Sequence, residues 1–193
     1  MKTARVLEEM QDEGKVDGAV AEEEFMIPAI DQGIKLYVRN KHPRNLRTFP
    51  AEKILLYVHG ATYPSETAFD LRLNGLSWMD YVAQRGYDVY LVDVRGYGRS
   101  TRPAEMDAPA DRNEPIVRTE TAVKDVSAAV DFVLKRRAVK KLSLMGWSWG
   151  TSSMGWYTAQ HNERVVKLVL YAPGWLRKER ALTDSGEKLT CLT

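Results

Sequence analysis

Four short apolar runs constrain the fold of this chain more than any other feature of its sequence. They are residues 54–58 (ILLYV), 89–94 (VYLVDV), 142–145 (LSLM) and 165–171 (VVKLVLY). Each run is nearly continuous in apolar residues, which is typical of a strand buried on both faces. Helical patterns separate the runs, and strands that alternate with helices favour a largely parallel sheet covered on both sides. The sequence therefore predicts an α/β fold.

Three segments between the strands have helical signals. Residues 77–80 (SWMD) have the spacing of a capping box, and Gly86 can end the helix that follows. Another helix is expected to begin just after Ser148 and to run toward Asn162. The basic run at residues 135–141 is interpreted as the C-terminal end of a helix, where cations complement the last carbonyls, rather than as a binding patch.

The longest predicted helix spans about residues 120–137. Its apolar residues share one helical stripe, and four charged residues fall largely off that stripe. The apolar set is Val123, Val126, Val130, Val133 and Leu134, and the charged set is Lys124, Asp125, Asp131 and Lys135.

A β-hairpin is predicted from Glu24 to Val38. Two apolar segments, residues 25–30 and 34–38, flank the turn signal Asp31-Gln32-Gly33. Pro28 places the first of these strands near a sheet edge, because proline cannot donate to a central ladder. A loop rich in turn and basic residues is expected from Asn40 to Pro50.

The bulk composition indicates one ordinary globular domain. The chain has 193 residues, of which 44% are hydrophobic, so it can bury one core and a second full domain is not expected. We divide it into a polar N-terminal arm (1–23), a partial domain (24–176) and a polar C-terminal tail (177–193).

Charge and cysteine content limit the classes of partner. Lys plus Arg number 28 against 26 Asp plus Glu, so there is no broad basic field to recruit nucleic acid or an acidic membrane. Cys191 is the only cysteine, which rules out an internal disulfide. The acidic stretch near the start argues against a signal peptide, and no apolar run is long enough to span a bilayer. We expect a soluble, cytoplasmic protein that binds a small molecule.

The chemistry-bearing motif is Gly146-Trp147-Ser148-Trp149-Gly150, which has the pattern Gly-x-Ser-x-Gly. It lies between a predicted strand and a predicted helix, which is the context that this motif requires. A sharp strand-to-helix turn strains the serine backbone and exposes its Oγ, and glycines two residues away on either side avoid collisions with neighbouring backbone. The helix N-terminus also supplies unpaired N–H groups to a developing oxyanion.

Two further segments, together with this motif, resemble the α/β-hydrolase superfamily in its serine esterase and lipase-like branch. His59-Gly60-Ala61 looks like the family's oxyanion loop after a buried strand. Residues 93–100 (DVRGYGRS) look like its Asp-x-Arg-Gly-x-Gly-x-Ser turn after the next strand. The three motifs occur in the family's order, and the resemblance covers about residues 24–175.

The resemblance implies a hydrolase in which Ser148, at a nucleophile elbow, is the catalytic nucleophile. The backbone N–H groups of Ala61 and Trp149 would form the oxyanion hole, and His59 would be structural rather than a base. The residues implied to support the elbow and the motifs are Gly146, Gly150, His59, Gly60, Asp93, Gly96 and Gly98. No metal or cofactor is expected. A serine at this position disfavours the dehalogenase and epoxide-hydrolase branches, and carboxylic esters or related acyl compounds are the expected substrates.

The acid and the histidine of the catalytic triad are not identified. In this family both follow the nucleophile in the chain. His161 lies on the same predicted helix, about 20 Å from Ser148 at 1.5 Å per residue, and His42 precedes the first parallel strand. Residues 172–175 (APGW) carry no carboxylate, and Asp184 in the tail has no expected role. We therefore interpret the chain as a truncated hydrolase that lacks the last strands and the lid.

Several alternatives stay open. Trp147 and Trp149 either line a substrate pocket or pack between sheet and helix, whereas Trp78, Trp156 and Trp175 are expected in the core or at the rim. The stretch 62–67 is a candidate for the mouth of the pocket. If residues 165–171 form the last strand, missing chain, a partner or a second copy should cover it. The alternative function is a catalytically silent interaction or dimerisation module.

Overall fold

Six strands form one mixed sheet in the computed structural model, which describes residues 19–174. They are β1 (Val20–Pro28), β2 (Lys35–Pro43), β3 (Ile54–Val58), β4 (Asp88–Val92), β5 (Leu142–Trp147) and β6 (Val165–Tyr171). Their order in the sheet is β1-β2-β4-β3-β5-β6. The β1–β2 and β2–β4 pairs are antiparallel, and the β4–β3, β3–β5 and β5–β6 pairs are parallel. The predicted α/β class and the predicted hairpin, with Pro28 on an edge strand, are confirmed.

Helices cover both faces of this sheet, as predicted. They are α1 (Ser65–Phe69), α2 (Trp78–Ala83), α3 (Thr119–Arg137) and α4 (Trp149–Gln160). Side chains of α3 and α4 pack into the larger buried cluster, on one face, together with Leu56, Val58 and Leu144. Side chains of α1 and α2 pack into a second cluster, on the other face, together with Tyr57 and Met145. None of these helices is long and apolar enough to cross a membrane.

The helix boundaries follow the local signals in the sequence. The hydroxyl of Ser77 accepts a hydrogen bond from the Asp80 N–H at 2.9 Å, and the Asp80 carboxylate accepts one from the Ser77 N–H at 3.2 Å. This reciprocal pair is the predicted capping box. The α3 helix ends in a basic turn, as predicted, and Ala138 follows it in the left-handed conformation with φ 52°.

Two polar segments that were predicted to lie outside the strands belong to the hairpin. The β1 strand begins at Val20 rather than at Glu24, and β2 continues through Pro43, where a loop was expected from Asn40. Asn40, Lys41 and His42 are buried although they are polar. The hydrophobic pattern missed them because their side chains are satisfied by partners from elsewhere, such as Asp88, which accepts from the Asn40 side-chain amide at 2.9 Å.

A buried charge cluster fixes the β1–β2 hairpin to the α1–α2 segment. Lys41 Nζ lies 2.6 Å from Asp70 Oδ1 and 2.7 Å from Asp80 Oδ1, and the Lys41 side chain is 1% exposed. Arg39 donates to the other Asp70 oxygen at 2.7 Å and to Glu24 at 2.8 Å. Because the ions neutralise one another, these polar residues can occupy interior positions of the strand.

The interpretation of α3 needs one correction. Asp125 was expected off the buried stripe, but it is fully buried. Its carboxylate accepts a hydrogen bond from Arg95 Nη2 at 2.6 Å and another from the Arg95 backbone N–H at 3.0 Å. Helical periodicity cannot reveal such a residue, because its partner lies in a loop about thirty residues away in sequence.

The β6 strand is the edge of the sheet within the described part of the chain. Val169, Leu170 and Tyr171 are 44%, 46% and 53% exposed. Unpaired backbone groups and exposed apolar side chains on such an edge favour contact with further polypeptide or ligand. Residues 175–193, which include Trp175, Asp184, Cys191 and the predicted tail, lie outside the described residues, as do residues 1–18 of the predicted arm.

Removal of the buried Lys41 ammonium should destabilise the protein strongly. The variant Lys41→Met leaves the Asp70 and Asp80 carboxylates close together with less compensating charge, and we expect a loss of about 3 kcal/mol in the free energy of unfolding. Denaturant unfolding measures this loss. The matched control is Lys124→Met, which removes an exposed ion pair with Asp31 and should cost at most about 1 kcal/mol. Equal losses in the two variants would contradict the structural role of the cluster.

Candidate active site

The three sequence motifs meet at the carboxyl ends of the parallel strands, which form one edge of the sheet across the strands. His59 follows β3, Asp93 follows β4 and Ser148 follows β5, and these three strands are adjacent and parallel. The carboxyl ends of parallel strands lie at the same edge, where ligands bind in open α/β sheets. The end of β6 joins this group, because the Ser148 N–H donates to the Tyr171 carbonyl oxygen at 2.9 Å.

Ser148 occupies a strained backbone conformation between β5 and α4. Its φ is 51° and its ψ is −119°, a region that a residue with a side chain rarely adopts. The Ser148 backbone is held on both sides, since its N–H donates to the Tyr171 carbonyl and its own carbonyl accepts hydrogen bonds from the Thr151 N–H at 2.9 Å and from the Thr151 hydroxyl. Strain of this kind persists only where the surrounding structure enforces it, and it concentrates at functional sites.

The glycines of the motifs permit very close backbone contacts around this turn. A Cβ at Gly150 would lie 2.5 Å from the His59 carbonyl oxygen, and one at Gly146 would lie 2.4 Å from the Gly150 carbonyl oxygen. A Cβ at Gly60 would lie 2.9 Å from the Ser148 Cβ. The start of α4 is thus in close contact with the end of β3, and Gly60 is next to Ser148.

His59 is fully buried and uses both ring nitrogens on backbone groups. Its Nε2 accepts the Val94 N–H at 3.1 Å, so the proton is on Nδ1, which donates to the Gly60 carbonyl at 2.6 Å. The Tyr97 ring covers it at a centroid distance of 4.4 Å. Burial lowers the pKa of the His59 imidazole, although the Gly60 carbonyl and Asp93 act in the opposite direction. A neutral ring with both nitrogens engaged holds the loop in place.

Asp93 organises the turn after β4. Its carboxylate accepts the Ser65 N–H at 2.8 Å and the Arg99 N–H at 3.2 Å. Burial raises the pKa of the Asp93 carboxyl, while these N–H donors and His59 act to lower it. Gly98, at φ 50°, lies so close to Asp93 that a Cβ there would be 2.0 Å from Oδ2, and Gly96 has φ 81° in the same turn.

The two tryptophans beside Ser148 lie on opposite faces of the sheet. Trp149 packs partly buried on the larger cluster, and its indole N–H donates to the Thr119 hydroxyl at 3.1 Å. Trp147 packs on the second cluster, with its ring near Gly60. Both therefore pack on clusters that the sheet shares with helices, and both are partly exposed.

The other two histidines of the chain lie away from Ser148. His42 pairs with Ala21 near the end of β2, which lies at the opposite ends of the strands from Ser148. Its Nδ1 lies 2.9 Å from the Pro43 carbonyl oxygen. His161 caps the C-terminal end of α4 and contacts Tyr157, as the helix predicted from the sequence requires. The expectation that neither ring reaches the serine is consistent with these positions.

Two strained residues at this edge were not identified from the sequence. Thr62, after β3, has φ 74°, and Ala172, after β6, has φ 49° although it precedes a proline. With Ser148, they place three strained residues at the ends of the adjacent strands β3, β5 and β6. Only the Thr62 region had a sequence signal, as a candidate for the mouth of a pocket. A pre-proline residue is expected in an extended conformation, so Ala172 had none.

The two depressions elsewhere on the described surface do not combine a serine with strained backbone at the ends of adjacent strands. Two depressions of about 500 Å³ lie elsewhere, one at Lys140, Lys141 and Val165 and one at Arg39, Glu66 and Asp70. Among residues 19–174, no three His, Cys, Asp or Glu side chains are placed so that they could hold a metal ion. The strained serine at the sheet edge is therefore the candidate site.

Comparisons with known proteins agree with this geometry. The alpha/beta hydrolase fold family matches residues 53–185. The human serine hydrolase BPHL is 30% identical over 141 residues, which cover 72% of this chain and 43% of that protein. The chain therefore spans less than half the length of this relative.

Solved structures show the same fold. A CIB-like hydrolase from Thermoplasma acidophilum has a TM-score of 0.55 at 22% identity, covering 81% of this chain and 65% of that one. The epoxide hydrolase VrEH1 from Vigna radiata has a TM-score of 0.56 at 17% identity, covering 83% and 42%. With most of the chain matched by the family and the sheet order, elbow and flanking motifs in place, this protein belongs to the α/β-hydrolase fold family.

Proposed function

We propose that the protein is a serine hydrolase in which Ser148 attacks the acyl carbon of a carboxylic ester or a related acyl compound. The observation that carries this proposal is the strained turn at Ser148. Gly150 and Gly60 allow this turn to lie in close contact with the end of β3. A serine that served only packing would have no physical need for a conformation that costs about 1–3 kcal/mol. The resemblance to a serine hydrolase in sequence supports the same reaction class.

The chemical step forms an acyl-enzyme. Ser148 Oγ bonds to the carbonyl carbon, the bond to the leaving alcohol breaks, and the serine proton passes through a general base to that alcohol. Water then releases the acid by the reverse sequence. No cofactor is needed to balance either half of the reaction.

The oxyanion that develops in this step would be stabilised by two backbone N–H groups. Trp149 is the first residue of α4, so its N–H has no acceptor within the helix. Ala61 follows Gly60, which faces the Ser148 Cβ, and the positive end of the α4 dipole points to the same place. Such preorganised donors contribute about 10²–10³-fold each in related chemistry.

The general base must come from outside the described residues. All three histidines of the chain are described, and none is free at Ser148, because His59 is engaged on both nitrogens and His42 and His161 are remote. In this family the acid and the histidine follow the nucleophile. We infer that a longer form of the polypeptide, or a second chain, supplies them, which agrees with the hypothesis of a truncated hydrolase.

A second candidate function is a catalytically silent interaction module. The exposed apolar side chains of β6 favour it, since an uncovered strand edge pairs readily with another chain. The intact elbow favours the first proposal. A measurement at Ser148 separates the two.

A fluorophosphonate probe should label Ser148 slowly in the 193-residue chain, and free imidazole should accelerate the labelling. A positioned general base increases the rate of such a step by about 10²–10⁴-fold. Imidazole at tens of millimolar should therefore increase the labelling rate by at least about tenfold. Mass spectrometry of the labelled peptide measures the rate. Ser148→Ala should abolish labelling, whereas Ser152→Ala, at an exposed serine of the same helix, should leave it unchanged.

Two outcomes would overturn the hydrolase proposal. One is folded protein that shows no Ser148-dependent labelling with or without imidazole. The other is labelling that persists at an equal rate in Ser148→Ala. If the unlabelled chain were also a stable dimer by light scattering, the interaction module would replace the hydrolase.

The backbone strain at Ser148 should be measurable as stability. Glycine relieves the strain at φ 51°, whereas alanine keeps it, so Ser148→Gly should be about 1 kcal/mol more stable than Ser148→Ala in denaturant unfolding. The control pair is Ser152→Gly and Ser152→Ala, for which the order should reverse, because glycine in a helix interior costs about 1 kcal/mol. The same order at both positions would contradict the strained elbow.

His59 should remain neutral in the folded protein below the pH at which an ordinary histidine titrates. Its folded pKa is lowered, so the unfolded chain binds more protons and the free energy of unfolding should fall as the pH decreases below about 6.5, by up to about 1.4 kcal/mol per pH unit. NMR titration of the histidine rings checks this directly. Titration of His59 at the ordinary value would contradict its structural role.

A further inference from the structure

A row of aromatic side chains leads away from Ser148 on one face of the sheet. Trp147 and Tyr171 are register neighbours on β5 and β6, so their side chains point to the same face. The Tyr171 ring is 5.9 Å from the Trp78 ring in an edge-to-face arrangement. Trp78 in turn contacts Phe69 at 5.1 Å, edge to face.

This row is buried at one end and open at the other. Phe69 is stacked on Tyr57 at 4.2 Å, and both rings are buried. Trp78 is 42% exposed and Tyr171 is 53% exposed. The open end includes Tyr171, whose backbone carbonyl accepts the Ser148 N–H at 2.9 Å. Exposed aromatic surface beside a candidate nucleophile indicates a binding surface.

Charge at the same edge is already neutralised. The segments 59–64, 93–100 and 172–174 contain three charged side chains, Asp93, Arg95 and Arg99. Asp93 accepts two backbone N–H groups, and Arg95 pairs with Asp125 at 2.6 Å and with Asp31 at 2.7 Å. Arg99 pairs with Glu24 at 2.7 Å. A charged ligand group would lose hydration here without a matching ion.

We propose that Trp78 and Tyr171 bind an uncharged aryl or alkyl group of the ester that reacts with Ser148. This inference rests on the proposed function and names its substrate class, which is apolar esters without a charge near the reacting carbonyl. Ring-to-ring contact gives such a group an edge or a face to pack on, and Trp147 extends the same surface toward the serine.

The binding test uses Ser148→Ala, so that no turnover occurs, and ligand-observed NMR titration of methyl 4-methylphenylacetate. We expect saturable binding. The matched ester with a carboxylate in place of the ring methyl, and methyl acetate without a ring, should each bind at least about fivefold more weakly. Equal binding of the ring carboxylate, or no saturable binding of the uncharged aryl ester, would overturn the proposal.

Variants locate the binding surface. In the same background, Trp78→Ala and Tyr171→Ala should each weaken the aryl ester by at least about fivefold. Trp156→Ala is the matched control, because Trp156 is 41% exposed but lies about 12 Å along α4 from Ser148, and it should change binding less than twofold. Unfolding curves identify any variant that fails to fold. Weakening by Trp156→Ala equal to that by the other two would overturn the assignment.

A second measurement does not depend on those variants. In a Cys191→Ser background, saturating aryl ester should slow iodoacetamide modification of the Ser148→Cys thiol, because the bound group covers the open end of the row. The proposal would be overturned if saturating ester left the rate of thiol modification unchanged. It would also be overturned if the protein formed a stable dimer to which the ester does not bind. Bound ester with no Ser148 labelling in the imidazole experiment would instead remove the hydrolase function and leave the binding surface, so the two failures are distinguishable.

Discussion

Gly150 brings the first turn of α4 against the carbonyl oxygens of Val58 and His59 at a distance that leaves no room for a Cβ. Every other feature of the site depends on this contact. It fixes where α4 starts, and the helix start fixes the Ser148 backbone between β5 and α4. The same contact holds the end of β3 in place, so that Gly60 lies against the Ser148 side chain. A methyl group at this position would push the start of α4 away from the end of β3.

The β1–β2 hairpin depends on a different kind of interaction. Around Arg39 and Lys41, buried ion pairs attach the hairpin to the rest of the domain, in addition to the apolar packing of Ile27, Leu36 and Val38. Such pairs contribute little net stability compared with apolar residues, but an unpaired ion in the same place is costly. The cluster therefore specifies how the hairpin is oriented against α1 and α2. It also pairs Arg99, in the turn after β4, with Glu24.

The sequence predicted those parts of the molecule in which each residue follows its own local rule. Strands β3, β5 and β6 were visible as apolar runs, and the cap at Ser77 and the elbow at Ser148 were visible as spacing. The failures share one cause. Asn40, Lys41 and Asp125 are polar residues in the interior of the fold, and each depends on a partner far away in sequence. A pattern that reads one segment at a time cannot find a partner in another. The proximity of Tyr171 and Trp78 was hidden for the same reason.

If the proposed function holds, the strained backbone around Ser148 and the missing general base separate two contributions to catalysis that are usually found together. In the proposed hydrolase, the contacts among β3, β5 and α4 would position the nucleophile and the backbone donors for the oxyanion. Proton transfer needs a base that none of the chain's three histidines provides from its described position. In the proposed hydrolase, the electrostatic part of the barrier reduction would therefore be built into this segment, and the acid–base part would be added by whatever brings a histidine to Ser148. The two parts can be measured apart in this chain, since an external base restores only the second.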